Sequence, residues 1–112
     1  MSYPVTNVKA GQLREWLKRN RWIGVGVDTQ LHVGPAFVFS MAVHSDGNGE
    51  ADAKVYDQAG GAEGNDFLQL YCVDESSYQR DFNPPLYFAK GIKVDIGTNC
   101  ERVEVHYRPE NL

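Results

Sequence analysis

The chain has 112 residues, of which 42% are hydrophobic and 23% charged, a composition typical of one globular domain with its own core. It has no apolar run approaching the roughly 20 residues that a membrane-spanning helix needs. Its N-terminus also lacks the apolar region of a signal peptide. We therefore expect no membrane segment and a protein made in a cytoplasm.

The net charge of −4 is unevenly distributed along the chain. Residues 1–22 carry five basic side chains against one acidic side chain, Glu15, and the remainder is strongly acidic. The basic residues are Lys9, Arg14, Lys18, Arg19 and Arg21. A basic segment on an acidic body steers association with a partner of opposite sign, including a second copy of the chain. A solvated helix face accounts for the same residues equally well.

The N-terminal segment is the one place with helical spacing. Leu13, Trp16 and Leu17 fall on one side of a helix, and the charged residues between them face away. A helix this short is marginal alone and needs a surface on which to lie. We predict a basic arm or short amphipathic helix over residues 1–22, followed by a β domain over residues 23–112.

From Trp22 the hydrophobic period changes to two, which indicates strands. In AFVFSMAV, the alternation places larger side chains on one face, which we expect toward the core, and small ones on the other. The larger ones are Phe37, Phe39, Met41 and Val43. The segment HSDGNGE is rich in turn residues and is followed by the strand pattern ADAKVYDQA. This arrangement predicts a hairpin.

The two C-terminal strands have the clearest alternation, GIKVDI and ERVEVHYR around a polar turn. Inward-facing positions are predicted at Ile92, Val94, Ile96, Val103, Val105 and Tyr107, and outward-facing ones at Glu104, His106 and Arg108. Pro84 and Pro85 cannot donate to a ladder, so they precede a strand or lie on an edge. Six to eight such strands predict an all-β fold, an antiparallel β-sandwich or jelly roll.

The sequence offers little metal or redox chemistry. His32, His44 and His106 are dispersed and the cysteines form no CxxC pair, which argues against zinc. Two cysteines are too few for a disulfide framework. We expect Cys72 and Cys100 as free thiols, with a single bridge between them as the alternative.

In one loop, the acidic and amide side chains follow part of the spacing of an EF-hand calcium-binding loop. Asp46, Asn48 and Glu50 occupy positions 1, 3 and 5 of an EF-hand count, and Asp57 occupies position 12. Ala51 stands where the EF-hand turn needs glycine, and the flanks read as strands. A hairpin turn that binds no ion accounts for the same residues.

Catalytic motifs are absent from the sequence. It contains no GxSxG nucleophile elbow and no phosphate-binding glycine loop. A Cys72–His106 pair can be drawn, but Cys72 reads as a core residue. We predict a protein that is not an enzyme, with no catalytic residues, cofactor or metal.

Nucleic acid is a further candidate partner, because the basic segment also carries Trp16 and Trp22. The pI of about 5.2 argues against it, since nucleic-acid-binding domains are usually basic.

The run PPLYFAKGIKVDIGTNCERVEVHYRP is similar to the C-terminal hairpin of many small proteins encoded by tailed bacteriophages, and AKVYD resembles a strand end in them. The likeness extends over residues 36–108 and is closest over residues 84–108. It implies a small β-sandwich virion structural protein, on the capsid surface or at a head–tail junction.

We therefore expect a virion protein made in the host cytoplasm that associates with itself and with capsid or other virion proteins. The docking residues predicted from charge are Arg14, Trp16, Lys18, Arg19 and Arg21. The competing class is a ligand-binding sandwich such as a carbohydrate-binding module, with Trp22, Tyr78 or Tyr87 as its platform.

Overall fold

The computed structural model describes residues 21–61, 64 and 67–110, which form eight strands and no helix. The strands are β1 (Arg21–Val25), β2 (Thr29–Val33), β3 (Ala36–Ser45), β4 (Ala51–Asp57), β5 (Phe67–Cys72), β6 (Ser77–Phe88), β7 (Gly91–Ile96) and β8 (Cys100–Pro109). The all-β prediction is confirmed for this part of the chain. The predicted helix lies outside the described residues. The first strand begins at Arg21, two residues inside the segment assigned to the arm.

The strands form two four-stranded antiparallel sheets. Sheet A has the order β1-β8-β3-β6, and sheet B has the order β2-β7-β4-β5. Among the described strands, only β4 and β5 are neighbours both in sequence and in a sheet. The hairpins predicted for β3–β4 and β7–β8 are therefore wrong, because each of those loops carries the chain from one sheet to the other. The alternation of apolar and polar residues specifies which face of a strand is buried, but it does not determine which other strand pairs with it.

The core lies between the inner faces of the two sheets. Sheet A contributes Ala36, Val38, Met41, Val43, Phe88, Val103, Val105 and Tyr107, and sheet B contributes Ala51, Ala53, Val55, Leu70, Cys72, Ile92 and Val94. The inward positions predicted for the two C-terminal strands are confirmed as core residues, apart from Ile96, which is half-buried at the margin. The arrangement is that of an antiparallel β-sandwich.

A bulge in β3 reverses the faces predicted for its first half. Val38 lies opposite Tyr107 and Ser40 lies opposite His106, so Phe39 is an extra residue in the ladder. Such an insertion changes the parity of every side chain on one side of it. As a result Phe37 and Phe39 face outward, although the alternation predicts them in the core.

The same irregularity continues into the edge strand β6. Ser40 pairs with Asp81 and Val38 pairs with Leu86, so residues 82–85 have no ladder partner on β3. This segment contains both prolines, which cannot donate a backbone hydrogen bond. Their predicted position on an edge is confirmed.

Aspartate side chains hold the turns between strands. Asp57 accepts hydrogen bonds from the backbone N–H groups of Ala89, Lys90 and Gly91 at 3.1, 2.8 and 3.3 Å. Asp52 accepts from the N–H of Thr98 at 2.7 Å in the same way. These carboxylates satisfy backbone donors that a turn leaves unpaired. Part of the negative charge of the body therefore has a structural role.

Glycine is required where β7 begins beside β2. A Cβ on Gly91 would lie 2.5 Å from the carbonyl oxygen of His32 and 2.9 Å from that of Gln58. Both distances are far below van der Waals contact, so only a residue without a side chain fits there.

We expect Asp57→Ala to lower the free energy of unfolding by about 1–3 kcal/mol, because three backbone donors lose their acceptor. Urea denaturation should show a lower midpoint with an unchanged slope. Asp81→Ala is the matched control, since this exposed carboxylate accepts from the exposed Gln79 amide, and its effect should stay within about 0.5 kcal/mol. Equal losses in the two variants would contradict the role assigned to Asp57.

Candidate functional site

The outer face of sheet A carries a continuous group of aromatic and cationic side chains, which we call the aromatic strip. It consists of Trp22 on β1, Phe37 and Phe39 on β3, Tyr87 on β6, and His106 and Arg108 on β8. The strip therefore includes residues from all four strands of the sheet.

Ring contacts join the side chains of the strip into two groups, one around His106 and Phe39 and one formed by Phe37 and Tyr87. The ring centre of His106 lies 5.1 Å from that of Trp22 and 5.3 Å from that of Phe39. The guanidinium carbon of Arg108 lies 4.6 Å from the centre of the Phe39 ring, a cation–π distance. The rings of Phe37 and Tyr87 are 5.3 Å apart at the other edge of the sheet. All of these ring pairs are tilted, as aromatic pairs in proteins prefer.

The exposure of the strip is uneven. Trp22 is 51% exposed and Tyr87 is 49% exposed, and they lie at opposite edges of sheet A. In the middle, Arg108 is only 3% exposed although it is on the outer face. Outer faces of antiparallel sheets are usually polar, and arginine is rarely buried so deeply. An apolar face with exposed ends is typical of a surface that packs against another segment.

A row of charged side chains borders the strip. Glu104 accepts a hydrogen bond from Nε of Arg102 at 3.0 Å, and Nε2 of His44 lies 3.5 Å from the same carboxylate. The hydrogen bond from Arg102 is the main cause that lowers the pKa of Glu104, with His44 adding to it. Arg102 also donates to Glu101 at 3.1 Å. The guanidinium of Arg102 is therefore shared between the carboxylates of Glu101 and Glu104.

His106 is at the centre of the strip and is held in its neutral form. Burial lowers its pKa, and the neighbouring charge of Arg108 lowers it further. A neutral imidazole between Trp22 and Phe39 keeps this part of the face apolar at neutral pH. Protonation would place a second cation beside Arg108.

Of the docking residues predicted from charge, the structure describes Arg21, which begins β1 opposite Tyr107. Arg14, Trp16, Lys18 and Arg19 lie outside the described residues. Sequence reasoning placed His106 and Arg108 correctly on the outer face. It missed Phe37 and Phe39 as surface residues, because no local signal in AFVFSMAV marks the position of the bulge.

The structure separates the candidate calcium ligands. Asp46 accepts from the N–H of Asn48 at 2.8 Å within the loop before β4, whereas Asp57 is at the far end of that strand. Glu50 is engaged by the hydroxyl of Tyr71. Within residues 21–61, 64 and 67–110, no three His, Cys, Asp or Glu side chains are grouped so as to hold a metal ion.

The cysteines are both free thiols and are separate from the strip. Cys72 is buried and Cys100 is half-buried, without a bridge between them. Burial raises the pKa of the Cys100 thiol, and the neighbouring Cys72 adds to this rise. A raised pKa disfavours the thiolate, which is the reactive form. Cys72 faces the core, and His106 faces outward on the other sheet, so they do not form a catalytic pair.

An open pocket of about 360 Å³ lies at one end of the sandwich, around the β2–β3 turn. Its lining consists of His32, Val33, Gly34, Pro35 and Glu110. It offers one imidazole and one carboxylate but no hydroxyl or thiol nucleophile among those residues, so it does not form a catalytic constellation.

No helix in the described part of the chain is long and apolar enough to cross a membrane. Comparison with known proteins yields no matching family model, curated protein or solved structure.

Protonation of His106 should destabilise the fold. Because its pKa is lower in the folded protein than the ordinary value of 6.5, the unfolded chain binds this proton first as the pH falls. We expect the melting temperature to drop between pH 7.5 and pH 5.5, and His106→Gln to reduce that drop. Glu104 does not contribute in this window, because its lowered pKa keeps it ionised above its ordinary value of 4.5.

His32→Gln, which removes an imidazole from the other sheet, is the matched control. A His106→Gln protein whose melting temperature falls as much as that of the unmodified chain would refute the assignment.

Proposed function

We propose that this protein is a non-enzymatic structural component of a bacteriophage virion, a capsid decoration or stabilisation protein or a head–tail component. It would act by associating with itself and docking on capsid or other virion proteins. The observation that carries this proposal is the aromatic strip, an apolar face on a sheet whose inner face already forms the core. Such a face serves docking rather than folding.

The order of the strands supports the proposal. The neighbouring strands within the two sheets include β1 with β8, β2 with β7, β3 with β6, and β4 with β5. This is the pattern expected when one long antiparallel hairpin, with its tip between β4 and β5, is rolled into two sheets. We interpret it as a jelly roll, an architecture common among viral capsid domains and lectins.

The use of the ionisable groups also favours a structural role. Asp52 and Asp57 hold turns, and Glu104 is engaged with Arg102. Side chains with such fixed partners are poorly placed for acid–base work on a substrate, which needs a group directed at the reacting atom. In our proposal the β-sandwich holds the docking surfaces in place, and the protein acts by binding partners rather than by catalysing a reaction.

The basic N-terminal segment provides the second element of docking. Residues 1–22 carry a net positive charge, while the rest of the chain is strongly negative. Copies of the chain can therefore attract one another head to tail, or the segment can attach to an acidic capsid surface. In our proposal Arg14, Lys18, Arg19 and Arg21 make these contacts.

We expect discrete oligomers in light scattering, or co-sedimentation with capsids, that weaken by about tenfold or more when Arg14, Lys18, Arg19 and Arg21 are changed to serine. Added salt should have the same effect, because the contacts are electrostatic. Arg80→Ser with Lys90→Ser removes exposed cations of the body and serves as the control. The proposal would be contradicted if the protein stays monomeric at every concentration and does not co-sediment with capsids.

A carbohydrate-binding module is the second candidate, because Trp22, Tyr78 and Tyr87 are each about half exposed, as a sugar platform requires. Their positions disfavour a shared platform. Trp22 and Tyr87 lie at opposite edges of sheet A, and Tyr78 pairs with the core residue Val43, on the other side of the sheet.

The carbohydrate hypothesis predicts binding on a glycan array that Trp22→Ala or Tyr87→Ala abolishes, since stacking needs the ring. Tyr71→Ala, an exposed tyrosine on sheet B, is the control. An array without signal for the unmodified protein would eliminate this candidate.

A further inference from the structure

We infer that the free edge of β5 is a dimerisation site, at which the β5 strands of two copies of this chain pair antiparallel about a two-fold axis. The pairing joins the two copies of sheet B into one continuous sheet. The inference goes beyond the proposed function, because it concerns an edge of sheet B and involves neither the aromatic strip nor the basic N-terminal segment.

The direction of the backbone groups along β5 follows from its neighbour β4. The N–H of Asp52 donates to the carbonyl of Thr98 at 3.1 Å, and the carbonyl of Asp52 accepts from the N–H of Gly97 at 3.0 Å. Both backbone groups of Asp52 are therefore directed away from β5. Successive residues of a strand bond to opposite neighbours, so the next residue, Ala53, bonds to β5 at its ladder partner Leu70.

The same alternation divides the residues of β5 into two sets. The residues whose backbone groups bond to β4 are Leu68, Leu70 and Cys72. The residues whose N–H and C=O groups are directed at the free edge are Phe67, Gln69 and Tyr71. Within the part of the chain that the structure describes, β4 is the only strand that pairs with β5. The second set therefore offers a row of donors and acceptors to an added strand.

The other three edge strands carry features that oppose pairing with another molecule. β6 contains both prolines, two charged side chains and a break in its ladder to β3. β2 has a register shift between Gln30 and His32. β1 is five residues long and begins with the charged Arg21. Prolines, charges, bulges and short length are the usual means by which proteins prevent pairing at a sheet edge.

β5 has none of these protective features. Residues 67–73, FLQLYCV, contain no charged side chain and no proline. The ladder between β5 and β4 runs without a register shift. Phe67 is 43% exposed and Tyr71 is 50% exposed. A regular, uncharged and partly apolar edge of this kind favours the addition of a further strand.

A second copy of β5 fits this edge in one antiparallel register. With Gln69 on the two-fold axis, Phe67 of each copy lies opposite Tyr71 of the other, and Leu68 lies opposite Leu70. The residues directed at the edge then face one another, which gives about six backbone hydrogen bonds. The two cross-strand pairs of aromatic rings add side-chain contact. Because the strand is uncharged, two copies of it do not repel each other.

The charges beside the strand favour the same register. Nζ of Lys54 lies 4.8 Å from the centre of the Phe67 ring, and the hydroxyl of Tyr71 donates to the carboxylate of Glu50. Placing Phe67 opposite Tyr71 brings the cation of each copy towards the carboxylate of the other. A parallel arrangement would instead bring like charges together. This complementarity identifies the occupant of the edge as a second copy.

Sedimentation of the full chain over a range of concentrations tests the inference. We expect an equilibrium between monomer and dimer. Gln69→Lys places two ammonium groups against each other at the axis, so it should weaken the dimer by about tenfold or more. Gln69 is exposed, so circular dichroism should show an unchanged fold.

Gln79→Lys is the matched control, because it adds the same charge at an exposed position on the edge strand β6. It should dimerise as strongly as the unmodified protein. Equal affinities of the two variants, or an unmodified protein that stays monomeric throughout, would overturn the inference.

Hydrogen exchange measured by NMR tests the register on the unmodified protein. We expect the amides of Phe67, Gln69 and Tyr71 to exchange slowly when the dimer is populated and at least tenfold faster after dilution. The amides of Leu68 and Leu70 should stay protected at every concentration. Rapid exchange of the first three in the dimer would place the interface elsewhere, and their protection in the monomer would show that the same chain covers the edge. Either result contradicts the inference.

The proposed function can fail separately from this inference. Its contacts depend on the basic segment, so changing Arg14, Lys18, Arg19 and Arg21 to serine should leave the β5 dimer intact. A dimer that these four changes abolish would overturn the role of β5. Absence of co-sedimentation with capsids, by contrast, bears only on the proposed function.

Discussion

The surface of this molecule depends on one extra residue in its central strand. β3 pairs with both β8 and β6, so its register determines which side chains enter the core along the whole of sheet A. With Phe39 inserted, Ala36 and Val38 point inward together with Met41, and Phe37 points outward. Burying a large apolar side chain stabilises a fold by about 1.5–3 kcal/mol, and Phe37 and Phe39 are only half-buried on the outer face, so they realise only part of that stabilisation. The bulge therefore places aromatic side chains on the outer face instead of in the core.

Those features of the fold that depend on one strand alone could be predicted from the sequence. Val103, Val105 and Tyr107 alternate with polar residues, and they face the core because burial of one side of a strand is a local property. Pairing between strands is not local. The sequence of β7 and β8 fits two neighbours in one sheet as well as two strands facing each other across a core, since both arrangements bury the same residues.

The candidate site was only partly predictable for the same reason. His106 and Arg108 were correctly placed on the outer face by alternation, and the basic segment was evident from charge. Their relation to Phe39 depends on a bulge, which is defined by the ladders on both sides of β3 rather than by the residues within it. The residues of the aromatic strip come from four strands that are distant in sequence. No local sequence pattern therefore predicts that they lie together, and only the folded structure shows it.

In our proposal, the inner face of sheet A serves folding and its outer face serves recognition. The inner face and the turn-binding aspartates account for the stability of the sandwich, and they use the residues that might otherwise suggest an active site, such as Asp57. Part of the negative charge of the body therefore serves to hold its turns, and this charge also favours a cationic segment at the surface. Among the described residues, the strip is one feature whose side chains the sandwich does not need to close its core.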